Sequence, residues 1–397
     1  MGVNIKFSHL GDCHLGGWRQ PELQELNFQS FQKAIEISIN EKVDFVLIAG
    51  DLFDSAYPPI EILKRAFAEF RKLKDAGIKC FMIAGSHDYS VSGKTFLDVL
   101  EKGGFCEICK YDEKPEAIYL QPLKYKNFEI FGYPGKKSGL EIQDLKKIIL
   151  PPDNNNFRIL MLHTTLTEAV GDLPIESISM KQLPRADYYA LGHLHINFEE
   201  KVKEKPIIYS GPIFPNSFQE LEDLAYGRFY INRVEGFWEY KKHEIIIKPV
   251  IAIRIQLNNA LTATQKIIDE LEKHDLRDKI LLLRLYGTIE QGTNADIDNK
   301  RISDYLKERG VYSFLKNTNK LESKSEQIEV KINSSEMNKV EEVLIDEYKK
   351  ENPDKFNQLI VPLLHALELQ KQEDEKSVIY ETRLFADLNK ILGLELK

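Results

Sequence analysis

Along the first 250 residues, short β-branched or apolar runs alternate with amphipathic stretches, the pattern of strands interleaved with helices in an α/β layered domain. The runs predict strands over Val3–His9, Phe45–Ala49, Lys79–Ala84, Phe128–Tyr133, Phe157–His163 and Tyr188–Leu191, with polar residues gathered right after them. Ile60, Leu63, Phe67, Phe70 and Leu73 recur at helical spacing, so Ile60–Lys74 is expected to lie as a helix over one sheet face. From Pro206 to Pro249 the elements become strand-only, clearest at Ile207–Tyr209, Arg228–Val234 and Glu244–Ile247.

The pattern then changes. Residues 250–332 read as strand (Val250–Leu257), helix (Thr262–Lys273), strand (Lys279–Tyr286), helix (Asn299–Arg309) and strands (Val311–Leu315, Gln327–Ile332), a small α/β module. Asn317–Glu326, rich in Lys, Asn and Ser, predicts an exposed loop. Beyond Ser334 the chain turns helical, and Leu359, Ile360, Leu363, Leu364, Leu367 and Leu369 form more apolar surface than a lone helix should expose. Three segments follow: 1–249, 250–333 and 334–397. No internal repeat or low-complexity tract is present, which sets aside solenoids and linker-dominated chains.

Length agrees, since 397 residues exceed what one compact core usually holds. No apolar run reaches the roughly 18 residues of a membrane span, and Met1–Leu10 reads as a strand rather than a secretory signal, so a cytoplasmic protein without membrane association is expected. Cys13, Cys80, Cys106 and Cys109 are too few for a disulfide scaffold and are read as packing residues. The net charge of −8 argues against binding a polyanion by bulk electrostatics, but 13 acidic against 8 basic side chains from residue 340 onward supply −5 of it. The body is close to neutral. Arg71, Lys72 and Lys74, or Lys201, Lys203 and Lys205, are read chiefly as solvated faces.

The chemistry lies in five segments at or near carboxyl ends of predicted strands: Asp12-Cys13-His14, Gly50-Asp51-Leu52-Phe53-Asp54, Gly85-Ser86-His87-Asp88, His163, and Gly192-His193-Leu194-His195. Loops after the carboxyl ends of strands are where open α/β sheets bind ligands, so these residues are expected to converge on one rim. Mixed carboxylate and imidazole donors suit Mn, Fe, Co or Zn better than Mg or Ca. Cys106-Glu107-Ile108-Cys109 has no partner pair and does not read as a structural zinc site. Asp12, His14, Asp51, His163, His193 and His195 are enough donors for two cations sharing a bridging carboxylate.

This set resembles the calcineurin-like metallophosphoesterase superfamily, with its D-x-H, G-D-x-x-D, G-N-H-D/E, later lone His and G-H-x-H, in order over about residues 5–215. The start Ser8-His9-Leu10-Gly11-Asp12-Cys13-His14-Leu15-Gly16, the closing Tyr209-Ser210-Gly211-Pro212 and the appended module resemble its SbcD-type, or meiotic recombination eleven, DNA repair nucleases. The resemblance implies a layered metallophosphoesterase β-sandwich flanked by helices, a capping domain over 250–333 and a helical partner-binding tail over 334–397. It further implies that Asp12, His14, Asp51 and His195 hold one divalent metal ion, Mn being expected. Asp51 bridges to a second ion held by His163, His193 and Ser86, where family members usually carry Asn. His87, not a ligand, is then placed to protonate the leaving oxygen or stabilise the transition state, with Asp54 as the charged partner that orients it.

As implied by the resemblance, the partners are DNA, a coiled-coil ABC-type ATPase of the SbcC kind docking on the tail, whose helices otherwise fold back on the protein's own domain, and a second copy of the chain through residues 58–102. Phe67, Phe70, Leu97 and Leu100 serve that surface or the monomer core. The expected function is a DNA exonuclease and endonuclease subunit in double-strand-break repair. A stand-alone small-nucleotide phosphodiesterase and a DNA-end-binding scaffold with weak catalysis are the alternatives.

Overall fold

The structure, a computed structural model, describes residues 4–90, 95–171, 173–235, 237–323, 345, 349–350, 356–367 and 377–392. Two six-stranded sheets carry the fold. In spatial order the first holds Phe237–Ile245, Gly227–Glu235, Ile5–Leu10, Phe45–Ala49, Lys79–Ile83 and Glu107–Ile108. The second holds Phe198–Val202, Lys205–Tyr209, Tyr188–Gly192, Phe157–His163, Phe128–Tyr133 and Leu123–Tyr125.

The central strands of each sheet run parallel, His9 pairing with Leu47 and Leu47 with Phe81 in one, Met161 with Ala190 in the other. Side chains alternate between two apolar layers, which explains the nearly continuous hydrophobic runs. Phe7, Phe45, Leu47, Phe81 and Ile83 face Ile130, Ile159, Met161, Tyr188 and Ile208 in one buried core between the sheets. Val46, Ile48 and Met82 turn the other way, onto Phe28, Phe31, Ile35, Leu63 and Phe70 of the helices Pro21–Asn40 and Ile60–Asp75. On the far side Phe131, Leu160, Leu162, Tyr189 and Leu191 pack with Ile142 and Leu145 of Glu141–Leu145. The layered sandwich flanked by helices is therefore present.

Phe70, Leu97 and Leu100 are buried in this core and Phe67 packs on it partly buried, so these residues serve the monomer interior.

The chain groups into two compact units, one of residues 1–257, 262–286 and 297–320, the other of 258–261, 287–296 and 321–397. In the first unit, Val250–Gln256 runs parallel to Ile280–Tyr286, and Asn299–Glu308 is helical. Ile280 and Leu282 complete a cluster with Trp18, Leu23, Leu26, Phe214 and Leu221. Ser313–Ser323 forms one strand where a loop was expected from Asn317. It lies at the edge of its three-stranded sheet, and an edge strand tolerates the Asn and Lys residues that read as loop. In the second unit Ile360–Leu367 and Ser377–Leu392 are helical, with Pro362 accommodated in a first turn. The strand expected over Gln327–Ile332 and Leu369 of the apolar stretch lie outside the described residues. No described helix is long and apolar enough to cross a membrane.

Candidate metal centre

Because the parallel strands end at the same level, the segments that follow them meet. Asp12 and His14 come after Ile5–Leu10, Asp51 after Phe45–Ala49, and Ser86 and His87 after Lys79–Ile83; His163 closes Phe157–His163, and His193 and His195 follow Tyr188–Gly192. Backbone bonds zip the first two loops together: His14 N–H donates to Asp51 O at 2.9 Å and Leu15 N–H to Leu52 O at 3.0 Å. Asp12, His14, Asp51 and His193 all have positive φ, between 42° and 98°. Such conformations cost on the order of 1–3 kcal/mol each for residues other than glycine and persist where the surrounding structure imposes them. Here they aim side chains at one point.

Three donor trios form, each with its ligating atoms within 4.8 Å of one another: Asp12, His14 and His195; Asp12, Asp51 and His163; and His14, Asp51 and His87. His14 Nε2 lies 3.1 Å from His195 Nε2 and 3.5 Å from Asp51 Oδ2, and His163 Nε2 lies 3.1 Å from Asp51 Oδ2. Of the histidines expected in the centre, His193 enters none of these trios. The His193 ring stands 5.0 Å from that of His163, centroid to centroid, and its backbone N–H donates to Asp12 Oδ1 at 2.8 Å. Ser86 Oγ donates to Asp51 Oδ2 across 3.4 Å.

The donors fit a divalent cation. Asp12, Asp51, His14 and His163 are almost wholly buried. Within the cluster Asp12 Oδ2 is buried without a hydrogen-bond partner, and buried His163 Nε2, though 3.1 Å from Asp51 Oδ2, is not aligned for a hydrogen bond to it, an arrangement costly for polar groups unless something else satisfies them. Burial pushes the Asp51 carboxyl up, but the neighbouring His163 and His14 outweigh it and hold Asp51 well below the usual carboxylate range. His193 is pushed down to about 4, by burial first and the charge of His163 second, which favours the neutral imidazole a metal ligand needs.

Three residues support the cluster from behind, and one of them, Glu220, lies outside the sequence motifs. Glu220 Oε2 sits 2.9 Å from His195 Nδ1 and fixes that ring, with Nε2 turned toward the centre. Nothing in the spacing marks Glu220. Its one signal, a Ser217-x-x-Glu220 start of a helix, reads as a cap, and Ser217 does cap Phe218–Leu224. Buried Asp88 accepts N–H bonds from Leu52, Phe53 and Gly85, tying the second and third loops together. Asp54 turns its carboxylate to His14 Nδ1 at 3.0 Å, while His87 Nδ1 bonds its backbone carbonyl at 2.9 Å and lies 3.6 Å from the carboxylate. Asp54 thus orients a histidine of each kind, one inside the cluster and one at its mouth.

Residues 5–197 match the calcineurin-like phosphoesterase family. The chain is 27% identical over 356 residues to the DNA double-strand break repair protein Mre11 of Methanocaldococcus jannaschii, covering 77% of this chain and 91% of that protein. It is 24% identical over 405 residues to the protein of the same name from Archaeoglobus fulgidus, covering 95% and 89%. It is also 24% identical over 306 residues to the uncharacterized metallophosphoesterase YhaO of Bacillus subtilis, covering 74% and 73%.

Proposed function

Residues 5–197 belong to the calcineurin-like phosphoesterase family, and from that premise we propose that this metal-dependent phosphoesterase is a DNA nuclease using two divalent ions, manganese by preference. The observation that carries the reading is the convergence of Asp12, His14, Asp51, His163 and His195, with two buried atoms left unsatisfied. Asp12, His14 and His195 would hold one cation and Asp51 and His163 the other, with Asp51 between them and His193 and Ser86 completing the second. Divalent cations in such a site neutralise a phosphodiester and lower the pKa of a water to near neutrality.

The chain's own residues do the rest. Glu220 and Asp54 hold His195 and His14 by their Nδ1 atoms, so each presents Nε2 inward. His87 stands at the mouth with about half its side chain exposed, where it can hand a proton to the leaving oxygen. Its Nδ1 is anchored on the Asp54 carbonyl, which leaves Nε2 for that transfer.

DNA as the substrate is supported by the relatives named as DNA double-strand break repair proteins, whose similarity extends over 77% and 95% of this chain. In this reading 250–333 caps the nuclease domain and helps hold the duplex. The 334–397 segment docks a coiled-coil ATPase of the SbcC kind, and Leu367 and Phe385 are exposed apolar side chains available to it. A homodimer through residues 58–102 would use the exposed Ile60 and Val99. Labelled duplex DNA incubated with Mn or Mg, with and without the ATPase, tests the proposal. Degradation supports it; turnover of small phosphodiesters alone, or binding without cleavage, would overturn it.

A further inference from the structure

The short helix Phe218–Leu224 carries two glutamates that reach in different directions. At about 100° per residue, positions two apart lie on opposite faces of a helix. Glu220 holds His195, whereas Glu222 meets two guanidinium groups, bonding Arg284 and accepting from Arg254 Nε at 2.8 Å. Arg254 and Arg284 are register partners on the neighbouring parallel strands Val250–Gln256 and Ile280–Ile289, so like charges stand side by side. The Glu222 side chain between them is 4% exposed. Arg284 also donates to Gln219 Oε1 at 2.9 Å and lies 5.0 Å over the Phe218 ring, while Leu221 is wholly buried against Ile280 and Leu282. One face of the helix is therefore locked to the three-stranded module, and the other steers a histidine of the metal cluster.

The geometry points to Glu222 as a positioning residue that couples the seating of the module to the metal centre. Through the helix, the Glu222 contacts with Arg254 and Arg284 set where Glu220 sits, Glu220 sets the His195 ring, and the ring sets how tightly the cation beside Asp12 and His14 is held. Anything that shifts the module, such as a duplex gripped by it, then changes that cation's affinity without touching a ligand. This inference rests on the proposed reading of His195 as a ligand.

Manganese titration of the full-length chain by calorimetry, with folding followed by circular dichroism, tests it. Glu220→Gln should weaken one of the two manganese sites by about 10- to 100-fold, the usual effect of losing a ligand's orienting partner. Glu222→Gln should weaken the same site by about 2- to 30-fold. In the Glu220→Gln background, adding Glu222→Gln should have no further effect. If Glu222→Gln fails to fold, Arg254→Met carries the same test, because that side chain is 63% exposed. A titration unchanged by Glu222→Gln, or losses that simply add in the double variant, would overturn the coupling alone. A wild-type chain that takes up no manganese would overturn the metal centre itself.

Discussion

Replacing His87 with glutamine separates the two roles its position allows. The ring belongs to a donor trio with His14 and Asp51, yet its side chain is 47% exposed, against 4% for His14. Its Nδ1 lies 2.9 Å from the Asp54 carbonyl oxygen, which can only accept, so Nδ1 carries hydrogen and Nε2 is the nitrogen left to deliver a proton from the imidazolium. Glutamine fills similar space and can still bond that carbonyl, but its amide cannot deliver a proton. If His87 is the acid, kcat should fall by about 10²- to 10⁴-fold, or about 2.7–5.4 kcal/mol of barrier, with metal content unchanged. Turnover of a fluorescent duplex at saturating Mn, paired with elemental analysis of the same sample, reads both quantities. Loss of one metal equivalent in step with activity would make His87 a ligand instead, and a rate within threefold of wild type would remove it from the reaction.

Other expectations follow from single contacts. A methyl group on Gly50, whose φ is +88°, would stand 2.3 Å from His163 Nδ1, so Gly50→Ala should lower stability by about 1–3 kcal/mol from backbone strain alone; a change below about 0.5 kcal/mol in urea unfolding would contradict this. Ser86→Asn brings a carboxamide nearer Asp51 than the hydroxyl now 3.4 Å away and should tighten the manganese site beside Asp51 and His163, whereas an unchanged titration would show that Ser86 does not limit it. Burial pushes the His9 imidazole, bonded to Tyr188 Oη at 2.9 Å, down to about 3. The unfolded chain then binds a proton that the folded one refuses, so this contribution is full above pH 6.5 and is lost as pH falls toward 3, at about 1.4 kcal/mol per pH unit. His9→Gln should flatten the decline in stability between pH 6.5 and 5 by that slope; parallel urea-unfolding curves for the two proteins would refute it.

Central strands such as Phe45–Ala49 were legible because burial on both faces makes them uniformly apolar. Pro21–Asn40 was not, because its buried face carries Asn27, Ser30 and Ser38, each bonded to a backbone carbonyl, and these polar residues break the hydrophobic period. Ser313–Ser323 read as part loop for the related reason that an edge strand leaves polar side chains in water. In the candidate site, Asp12, His14, Asp51, His163 and His195 could be picked out because each follows or closes a parallel strand and the strands share one end. Glu220 could not: it lies 25 residues past His195 on an intervening helix, and only the folded chain brings the two to 2.9 Å.

The most direct measurement is a crystal structure of the full chain grown with Mn, with anomalous scattering used to place the ions. Two manganese peaks are predicted, one against Asp12, His14 and His195 and one against Asp51 and His163. A single peak elsewhere on the molecule, or ions that leave Asp12 Oδ2 and His163 Nε2 without a partner, would contradict the binuclear centre.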